Sequence, residues 1–438
     1  MEIPGPEPCA GGGAGAVAAA GGLHVYQLRL HAEYGPVVRF QLPGAESAVS
    51  VADPVLLEAM AHLDRRPEGL FSFLDPFFEA GNIQVMPAGE HGPWRRLMLS
   101  VLAGRPSHER HFPRFAELVT ELADRWAERA DGVAVGLQKD LTTLSLRMIC
   151  AYALGDDVVD PERAVAAFED VLTEQLSRLY GVPGRERGGA ERAREALGHL
   201  RASVDRVVAA HRRGGAGGRS DLIGALVDAG ESPARIRDTV MMTLLAAHHT
   251  TGVAVSWTLH LLGRHPEAAE RVAAELDRVL GGRPAPAYGD LRRLPYLTMV
   301  LKEAMRLYPP GPYGARETTE SLTLGDYVIP AGTTVFYPFW AVHLNPEHWP
   351  DPEEFVPERF TPEAVAGRAR LAYIPFGLGP RGCEGAQLAM MEAELILAVL
   401  LKRFRFRPEP GHEVVPVERF VLWAADDIRM RVSSRAAP

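Results

Sequence analysis

The segment "YIPFGLGPRGCEGAQLAMMEAELILAVLLKRF" (residues 373–404) decides the fold. A glycine-rich loop delivers Cys383, and an uninterrupted amphipathic helical pattern begins within a few residues of it. The glycines of the loop allow backbone conformations that bring a cysteine sulfur close to a flat group. The N-terminus of the following helix and the nearby Arg381 are expected to favour the thiolate form of the cysteine. Taken alone, Cys383 could instead be a small, buried, unreactive cysteine.

Two further motifs precede this segment. In "LKEAMRLYPP" (301–310), Glu303 and Arg306 are three residues apart on one helix face, so the carboxylate can hold the guanidinium in a bidentate pair. The segment "HWPDPEEFVPERF" (348–360) contributes Arg359. An exposed, solvated ion pair is the alternative interpretation of Glu303 and Arg306.

Together the three motifs resemble those of the cytochrome P450 family, in their order as well as in their residues. The resemblance covers roughly residues 22–435. The pattern Phe376-Gly377-x-Gly379-x-Arg381-x-Cys383-x-Gly385 resembles the family's complete haem-binding signature. The other two motifs resemble its E-x-x-R and P-x-x-F-x-P-E-R-F segments, which implies a structural cluster of Glu303, Arg306 and Arg359.

This resemblance implies a cofactor and a set of residues that hold it. The cofactor is haem b (iron protoporphyrin IX), and Cys383 is the axial thiolate ligand of its iron. The haem propionates are expected to meet His91 and Arg95 in "EHGPWRRLM" (90–98) and Arg316 in "GPYGARET" (311–318). Further residues implied to contact the haem are Phe376, Gly377, Arg381 and Gly385.

A long helical pattern contains "TLLAAHHTTGVAVSWT" (243–258), with two histidines and two threonines at its centre. His248 and His249 are about 100° apart on a helix, so they do not suit a shared zinc ion, which also needs further ligands. His248 is interpreted as a core polar residue that hydrogen-bonds to a neighbouring element.

In the family the centre of this helix crosses the distal face of the haem. Ala246 and Ala247 then lie against the cofactor, while His249, Thr250 and Thr251 occupy the positions of an acid and two alcohols. The acid and the first alcohol deliver protons during oxygen activation, and a histidine with an ordinary pKa of about 6.5 can also shuttle protons. A His-His-Thr sequence at this site is similar to that of sterol 14-demethylases.

The segments that surround the substrate in the family are mostly apolar here, which predicts a pocket for a hydrophobic small molecule of terpenoid, polyketide or steroid size. Ordinary core packing is the alternative for each aromatic residue. The predicted pocket residues are Phe71, Phe73, Phe77, Phe78, Leu245, Tyr313, Leu422 and Trp423.

The composition limits the other possibilities. The 438 residues carry a formal net charge of −9, which argues against a nucleic-acid-binding protein. Three cysteines are too few for a disulfide framework and favour a cytoplasmic location. An Ala/Gly-rich stretch at 1–22 is expected to be a flexible leader. Residues 23–438 are expected to form one mainly α domain with small β-sheets near both ends. No segment is expected to anchor the chain in a membrane.

The implied activity is that of a haem-thiolate monooxygenase that uses O2. Because the chain has no dinucleotide fingerprint after a strand and no ferredoxin-like cysteine cluster, electrons are expected from NAD(P)H through a separate ferredoxin and ferredoxin reductase. A haem-thiolate enzyme that uses peroxide or rearranges its substrate is one alternative. A haem protein that binds a ligand without turnover is another.

Overall fold

Helical periodicity dominates the middle of the sequence, and the protein is mainly helical. The computed structural model describes residues 1–8, 13–42, 45–129, 132–154, 160–180, 189–213 and 221–435. Within these residues the α-helices are α1 (Ala14–Ala20), α2 (Leu23–Tyr34), α3 (Pro54–Met60), α4 (Glu68–Phe71), α5 (Ala88–Leu102), α6 (Arg105–Ala127), α7 (Leu137–Ala153), α8 (Pro161–Tyr180), α9 (Gly189–Arg213), α10 (Leu222–Asp228), α11 (Pro233–Arg264), α12 (Pro266–Leu280), α13 (Pro295–Leu307), α14 (Phe339–His343), α15 (Pro362–Ala366) and α16 (Ala386–Arg403).

The strands form four small sheets near the two ends of the chain, as the sequence predicted. They are β1 (Val37–Leu42), β2 (Ala45–Val51), β3 (Ala134–Gly136), β4 (Tyr313–Glu317), β5 (Leu322–Leu324), β6 (Tyr327–Ile329), β7 (Thr334–Pro338), β8 (Phe404–Pro408), β9 (Pro416–Arg419), β10 (Val421–Ala424) and β11 (Arg429–Ser434). The sheet orders are β1-β2-β7-β4, β3-β11-β8, β9-β10 and β5-β6. In the first sheet β2 pairs in parallel with β7, with Val49 opposite Val335, so early and late parts of the chain share one sheet.

Helix α11 passes through the main core and is the longest helix of the described residues, at 32 residues. It begins with Ser232 as N-cap, whose hydroxyl accepts a hydrogen bond from the Arg235 N–H, and with Pro233 in the first turn. Most of its residues are buried, which is the pattern of a helix surrounded by other elements. A Cβ on Gly252 would lie 2.8 Å from backbone atoms of Leu141. Glycine is therefore what lets α11 cross α7 so closely.

The stretch 1–22 differs from the flexible leader expected from its composition. Residues 14–20 form helix α1, and Val17 packs in a hydrophobic cluster with Phe40 of β1 and Phe336 of β7. The Arg39 N–H donates to the Pro4 carbonyl oxygen at 2.8 Å. The sequence pattern did not predict this helix because most of its side chains are small. An alanine-rich helix needs only one or two larger residues to pack on a sheet. Residues 9–12 of this stretch lie outside the described residues.

The main core gathers apolar side chains from α6, α7, α11, α13 and α16. Among the described residues, no helix combines the length and the apolar character needed to cross a bilayer.

Candidate functional site

Cys383 lies in an irregular loop that ends where α16 begins. Gly377 and Gly379 have φ angles of 74° and 65°, which favour glycine. A Cβ on Gly379 would lie 1.9 Å from the carbonyl oxygen of Ala61, so no larger residue fits there. The Cys383 N–H closes the loop by donating to the carbonyl oxygen of Phe376 at 2.8 Å. The cysteine remains accessible at the end of this loop.

The electrostatic surroundings of Cys383 differ from the sequence expectation. Surrounding protein atoms desolvate the sulfur even though the residue is accessible, and the negative charge of Glu384 adds to this effect, so the pKa of the thiol rises to about 11. Arg381 instead donates to Asp64 and to the carbonyl oxygen of Met86. The protein alone therefore favours the thiol, and the thiolate form of Cys383 stays a prediction. A bound metal ion supplies the positive charge that deprotonates a ligating thiol.

Glu303 and Arg306 form a fully buried, bidentate ion pair on α13. The two N–O distances are 2.7 and 2.8 Å, and both side chains are 0% exposed. Arg306 also donates to three backbone carbonyl oxygens, those of His343, Pro352 and Glu354. Arg359 lies 3.3 Å from Glu303, so the three motif residues meet. The cluster ties α13 to the irregular segment around residues 343–359.

A cluster of guanidinium groups lies beside the cysteine loop. Arg316 and Arg381 are buried and Arg66 is partly buried; Arg66 donates to the carbonyl oxygen of Arg381 at 3.2 Å. Desolvation, with the positive charge of Arg316 as the next contribution, lowers the pKa of Arg66 to about 10. The buried atoms Nε of Arg66, Nε of Arg316 and Nη1 of Arg381 have no hydrogen-bond partner among the described residues. Three cations with unused donors suit an anionic group, and the two propionates of haem fit them.

The other two residues predicted for the propionates lie on α5 and already face polar groups. Arg95 donates to the carbonyl oxygen of Gly382 at 2.6 Å and to Glu384. His91 is buried, and its ring nitrogens lie 3.8 Å from carboxylate oxygens of Asp64 and Glu384. Both therefore border the cysteine loop from the side of α5.

Sequence reasoning missed Arg66 in this cluster. It follows Arg65, which forms an exposed ion pair with Glu317 at 2.9 Å. The two adjacent arginines carry the same charge. The only local feature that could have pointed to burial of Arg66 was the apolar segment that begins a few residues later. Their different environments follow from the tertiary fold.

The centre of α11 has one accessible side. Ala246 is exposed, and Ala247 and Thr250 are partly exposed, whereas the neighbouring turns are buried. The Thr250 hydroxyl donates to the carbonyl oxygen of Ala246 at 3.0 Å. Small side chains and one hydroxyl thus form the accessible face of the helix.

The two histidines lie on other sides of α11 and face helix α8. The ring of His248 is buried and stacks on Phe168 at 4.7 Å, as expected for a core polar residue. Its Nδ1 atom lies 2.8 Å from the Leu245 carbonyl oxygen of its own helix, so the expected hydrogen bond to a neighbouring element was wrong. The Nε2 atom of His249 lies 3.4 Å from a carboxylate oxygen of Glu169. Burial lowers the pKa of His249 to about 3. His249 is therefore neutral near pH 7, and the expectation that both protonation states exist there was wrong.

Thr251 is separated from Thr250 by the turn of the helix. It is buried, and its hydroxyl donates to Glu392 of α16 at 3.3 Å. Burial raises the pKa of Glu392 to about 8, so this carboxyl is largely protonated at neutral pH. Thr251 thus connects α11 to α16, on a different side of the helix from Ala246.

The predicted pocket residues divide into two groups. Phe77, Phe78, Leu245 and Leu422 are buried in the core. The others are only partly buried: Phe71, Phe73, Tyr313 and Trp423.

Two of the partly buried residues have defined neighbours. Trp423 lies 5.0 Å from the His249 ring. The Tyr313 hydroxyl donates to Glu418 at 2.5 Å. Trp423 therefore brings the β9–β10 hairpin to the side of α11 that carries His249.

The comparisons with known proteins agree with this geometry. The cytochrome P450 family model matches residues 4–431. A cyclooctat-9-en-7-ol 5-monooxygenase of Streptomyces melanosporofaciens is 39% identical over 353 residues, which cover 76% of this chain and 74% of that protein. A pentalenene oxygenase of Streptomyces avermitilis is 30% identical over 447 residues, which cover 97% of this chain and 98% of that protein. The crystal structure of the haem domain of cytochrome P450DA has a TM-score of 0.88 at 25% identity and covers 99% of this chain and 98% of that one. The chain is therefore a member of the cytochrome P450 family.

Proposed function

We propose that this cytochrome P450 monooxygenase inserts one oxygen atom from O2 into a terpenoid or a similarly hydrophobic small molecule. The observation that carries the proposal is the combination of an accessible Cys383 with unused buried arginine donors beside it. Two relatives are named for cyclooctat-9-en-7-ol and pentalenene. These names favour a terpenoid substrate over a polyketide or a steroid.

Haem b is the cofactor of the family, and the residues of this chain fit it. Cys383 would provide the sulfur ligand of the iron, and Arg66 and Arg316 would provide hydrogen-bond donors for the propionates. When bound, the haem supplies the activation of O2. Phe376, Gly377 and Gly385 shape the loop that holds the sulfur in place.

Thr250 and His249 are proposed to deliver protons to the oxygen site. Thr250 supports this role because its hydroxyl lies on the accessible face of α11 beside Ala246. The imidazole of His249 is neutral, so it has one N–H donor and one nitrogen acceptor and can pass a proton without staying charged. A carboxylate oxygen of Glu169 lies 3.4 Å from its Nε2 atom. The His-His-Thr sequence resembles that of sterol 14-demethylases, and the same role is proposed for it in this chain.

A separate ferredoxin and its NAD(P)H-dependent reductase are proposed as the electron donors, in the cytoplasm. The absence of a dinucleotide fingerprint and of a ferredoxin-like cysteine cluster from the sequence supports this part of the proposal.

The experiment is turnover of terpenoid candidates with ferredoxin, reductase and NADPH under isotopically labelled O2. One labelled oxygen atom in the product is the expected result. Cys383→Ser is the matched control, and it should lose both product formation and the thiolate-type Soret band of the reduced carbon monoxide complex. Product formed only from added peroxide, with none from the ferredoxin system, would refute the proposal in favour of a peroxide-using enzyme.

A further inference from the structure

A polar pair of side chains lies among the aromatic residues of the predicted pocket. It consists of His249 on α11 and Glu169 on α8, and we refer to it as the His249–Glu169 pair. Phe168 stacks on the adjacent His248 at 4.7 Å, and Trp423 lies 5.0 Å from the His249 ring. Trp423 of the β9–β10 hairpin therefore borders the pair at His249, while the carboxyl side of the pair is open.

The hydrogen-bonding capacity of His249 is not used by the described residues. The residue is 3% exposed, and both of its ring nitrogens lack a hydrogen-bond partner there. The 3.4 Å separation between Nε2 and Glu169 exceeds the usual N–O distance of about 2.9–3.0 Å. His248 differs at one nitrogen: its Nδ1 atom contacts the Leu244 and Leu245 carbonyl oxygens, although its Nε2 atom also lacks a partner among the described residues. Buried polar groups are normally paired, so the idle nitrogens of His249 point to a ligand.

Glu169 offers a carboxyl group that a ligand can reach. Its side chain is 49% exposed, whereas that of His249 is 4% exposed. Burial of the carboxyl raises the pKa of Glu169, and the electrostatic interactions with His248 and Arg419 act in the opposite direction. The pair therefore combines a carboxyl group that accepts hydrogen bonds with a neutral imidazole.

We infer that the His249–Glu169 pair binds a hydroxyl group of the substrate, which makes the substrate class a hydroxylated hydrophobic polycycle. This inference rests on the proposed function, since it concerns the substrate of the same site. A hydroxyl donates one hydrogen bond and accepts others, so it can donate to the Glu169 carboxylate and accept from the imidazole N–H. A hydrocarbon would leave both groups unpaired, and a carboxylate would meet the negative charge of Glu169. An ammonium group has no lone pair to accept from the imidazole N–H.

Binding to the resting ferric holoenzyme tests this inference. The probes are cedrol, its hydrocarbon cedrane and cedryl methyl ether, with androstanol and androstane as a second series. Affinity is measured from the spin-state shift on binding. The alcohol is expected to bind at least about tenfold more tightly than its hydrocarbon in at least one series, because a site built for a hydroxyl rejects the analogue that lacks it. The methyl ether, which cannot donate, should resemble the hydrocarbon.

Two variants and one control complete the test. His249→Phe keeps an aromatic ring but removes both nitrogens, and Glu169→Met removes the carboxyl from a half-exposed position where folding is least at risk. Each should reduce the preference for the alcohol to within about twofold, because alcohol affinity falls while hydrocarbon affinity does not fall. Asp170→Asn changes the adjacent carboxyl group of α8, which pairs with Arg192 at 3.1 Å, and should keep the preference.

The inference is overturned if alcohol and hydrocarbon bind equally in both series, if the preference survives in both variants, or if no probe causes a shift. Failure of the proposed function is a separate result. Binding to the resting protein requires no electrons or proton delivery, so a protein that prefers alcohols but forms no product with ferredoxin would contradict only the monooxygenase proposal.

Discussion

Replacing Glu303 by glutamine is expected to destabilise the protein strongly. In the structure Glu303 accepts two hydrogen bonds from Arg306 and one from the Val356 N–H at 2.9 Å. The substitution keeps the shape of the side chain but leaves the positive charge of Arg306 in a fully buried position without a counter-charge. Breaking a buried pair in this way costs about 3–5 kcal/mol. Domain stabilities are about 5–15 kcal/mol, so the loss is a large fraction of the total.

The assay is urea unfolding followed by tryptophan fluorescence, together with haem content after purification. Glu303→Gln should unfold at a much lower urea concentration and retain little haem. Glu358→Gln is the matched control, because Glu358 is 42% exposed and pairs with the exposed Arg271 at the surface. Such a surface pair contributes about 0–1 kcal/mol. Equal unfolding midpoints for the two variants would refute the argument that burial sets the cost.

A second variant separates the loss of charge balance from the loss of packing. Glu303→Leu combined with Arg306→Met removes both charges, and replacement of a buried pair by apolar residues is often neutral. Here the recovery should be partial, because the carbonyl oxygens of His343, Pro352 and Glu354 lose the donors that Arg306 gave them. A double variant less stable than Glu303→Gln would contradict the charge argument.

Three further predictions follow from the site. Glu392→Gln should stabilise the folded protein at pH 7. The pKa of Glu392 is about 8 in the folded protein against an ordinary 4.5. The stability that the protonated carboxyl contributes is therefore fully present below pH 4.5 and is lost as the pH rises towards 8. The slope is at most about 1.4 kcal/mol per pH unit, and unfolding midpoints of both proteins from pH 5 to pH 8 measure it; parallel curves would contradict the prediction. Arg66→Ala should speed haem transfer to apomyoglobin several-fold with an unchanged thiolate-type Soret band, while the exposed Arg96→Ala should not; equal rates would exclude a propionate contact. His249→Ala and Thr250→Ala should each lower the coupled rate about 10²–10⁴-fold while NADPH consumption continues and peroxide accumulates, and full coupling in both would remove them from proton delivery.

Some features of the fold and the site could be predicted because they depend on residues close together in the sequence. The cysteine loop needs glycine at 377 and 379, and the pairing of Glu303 with Arg306 needs only a spacing of three positions on one helix. The parallel pairing of β2 with β7 depends on segments nearly 300 residues apart, and no local pattern specifies it. The contact between Glu169 and His249 is likewise set by how α8 packs on α11.

The different positions of Thr250 and Thr251 show how a helix divides adjacent residues of the same type. Both carry hydroxyl groups, and the sequence placed both in the distal motif of the helix. Successive residues turn about 100° on a helix, so Thr250 falls on the accessible side with Ala246 while Thr251 points to Glu392. The sequence predicted the helix correctly, but the side that faces the core was decided by α7 and α16.

Charge state is the property of the site that the sequence predicted least well, and desolvation explains why. The same packing raises the pKa of the Cys383 thiol to about 11, lowers that of His249 to about 3 and raises that of Glu392 to about 8. In each case burial disfavours the charged form, as expected for groups removed from water. The interior of the site is therefore largely neutral near pH 7, and the positive charge is concentrated in the arginine cluster beside the cysteine loop. A neutral interior with unused hydrogen-bond donors and acceptors suits an uncharged hydroxylated molecule, and the cationic border suits the carboxylates of the cofactor.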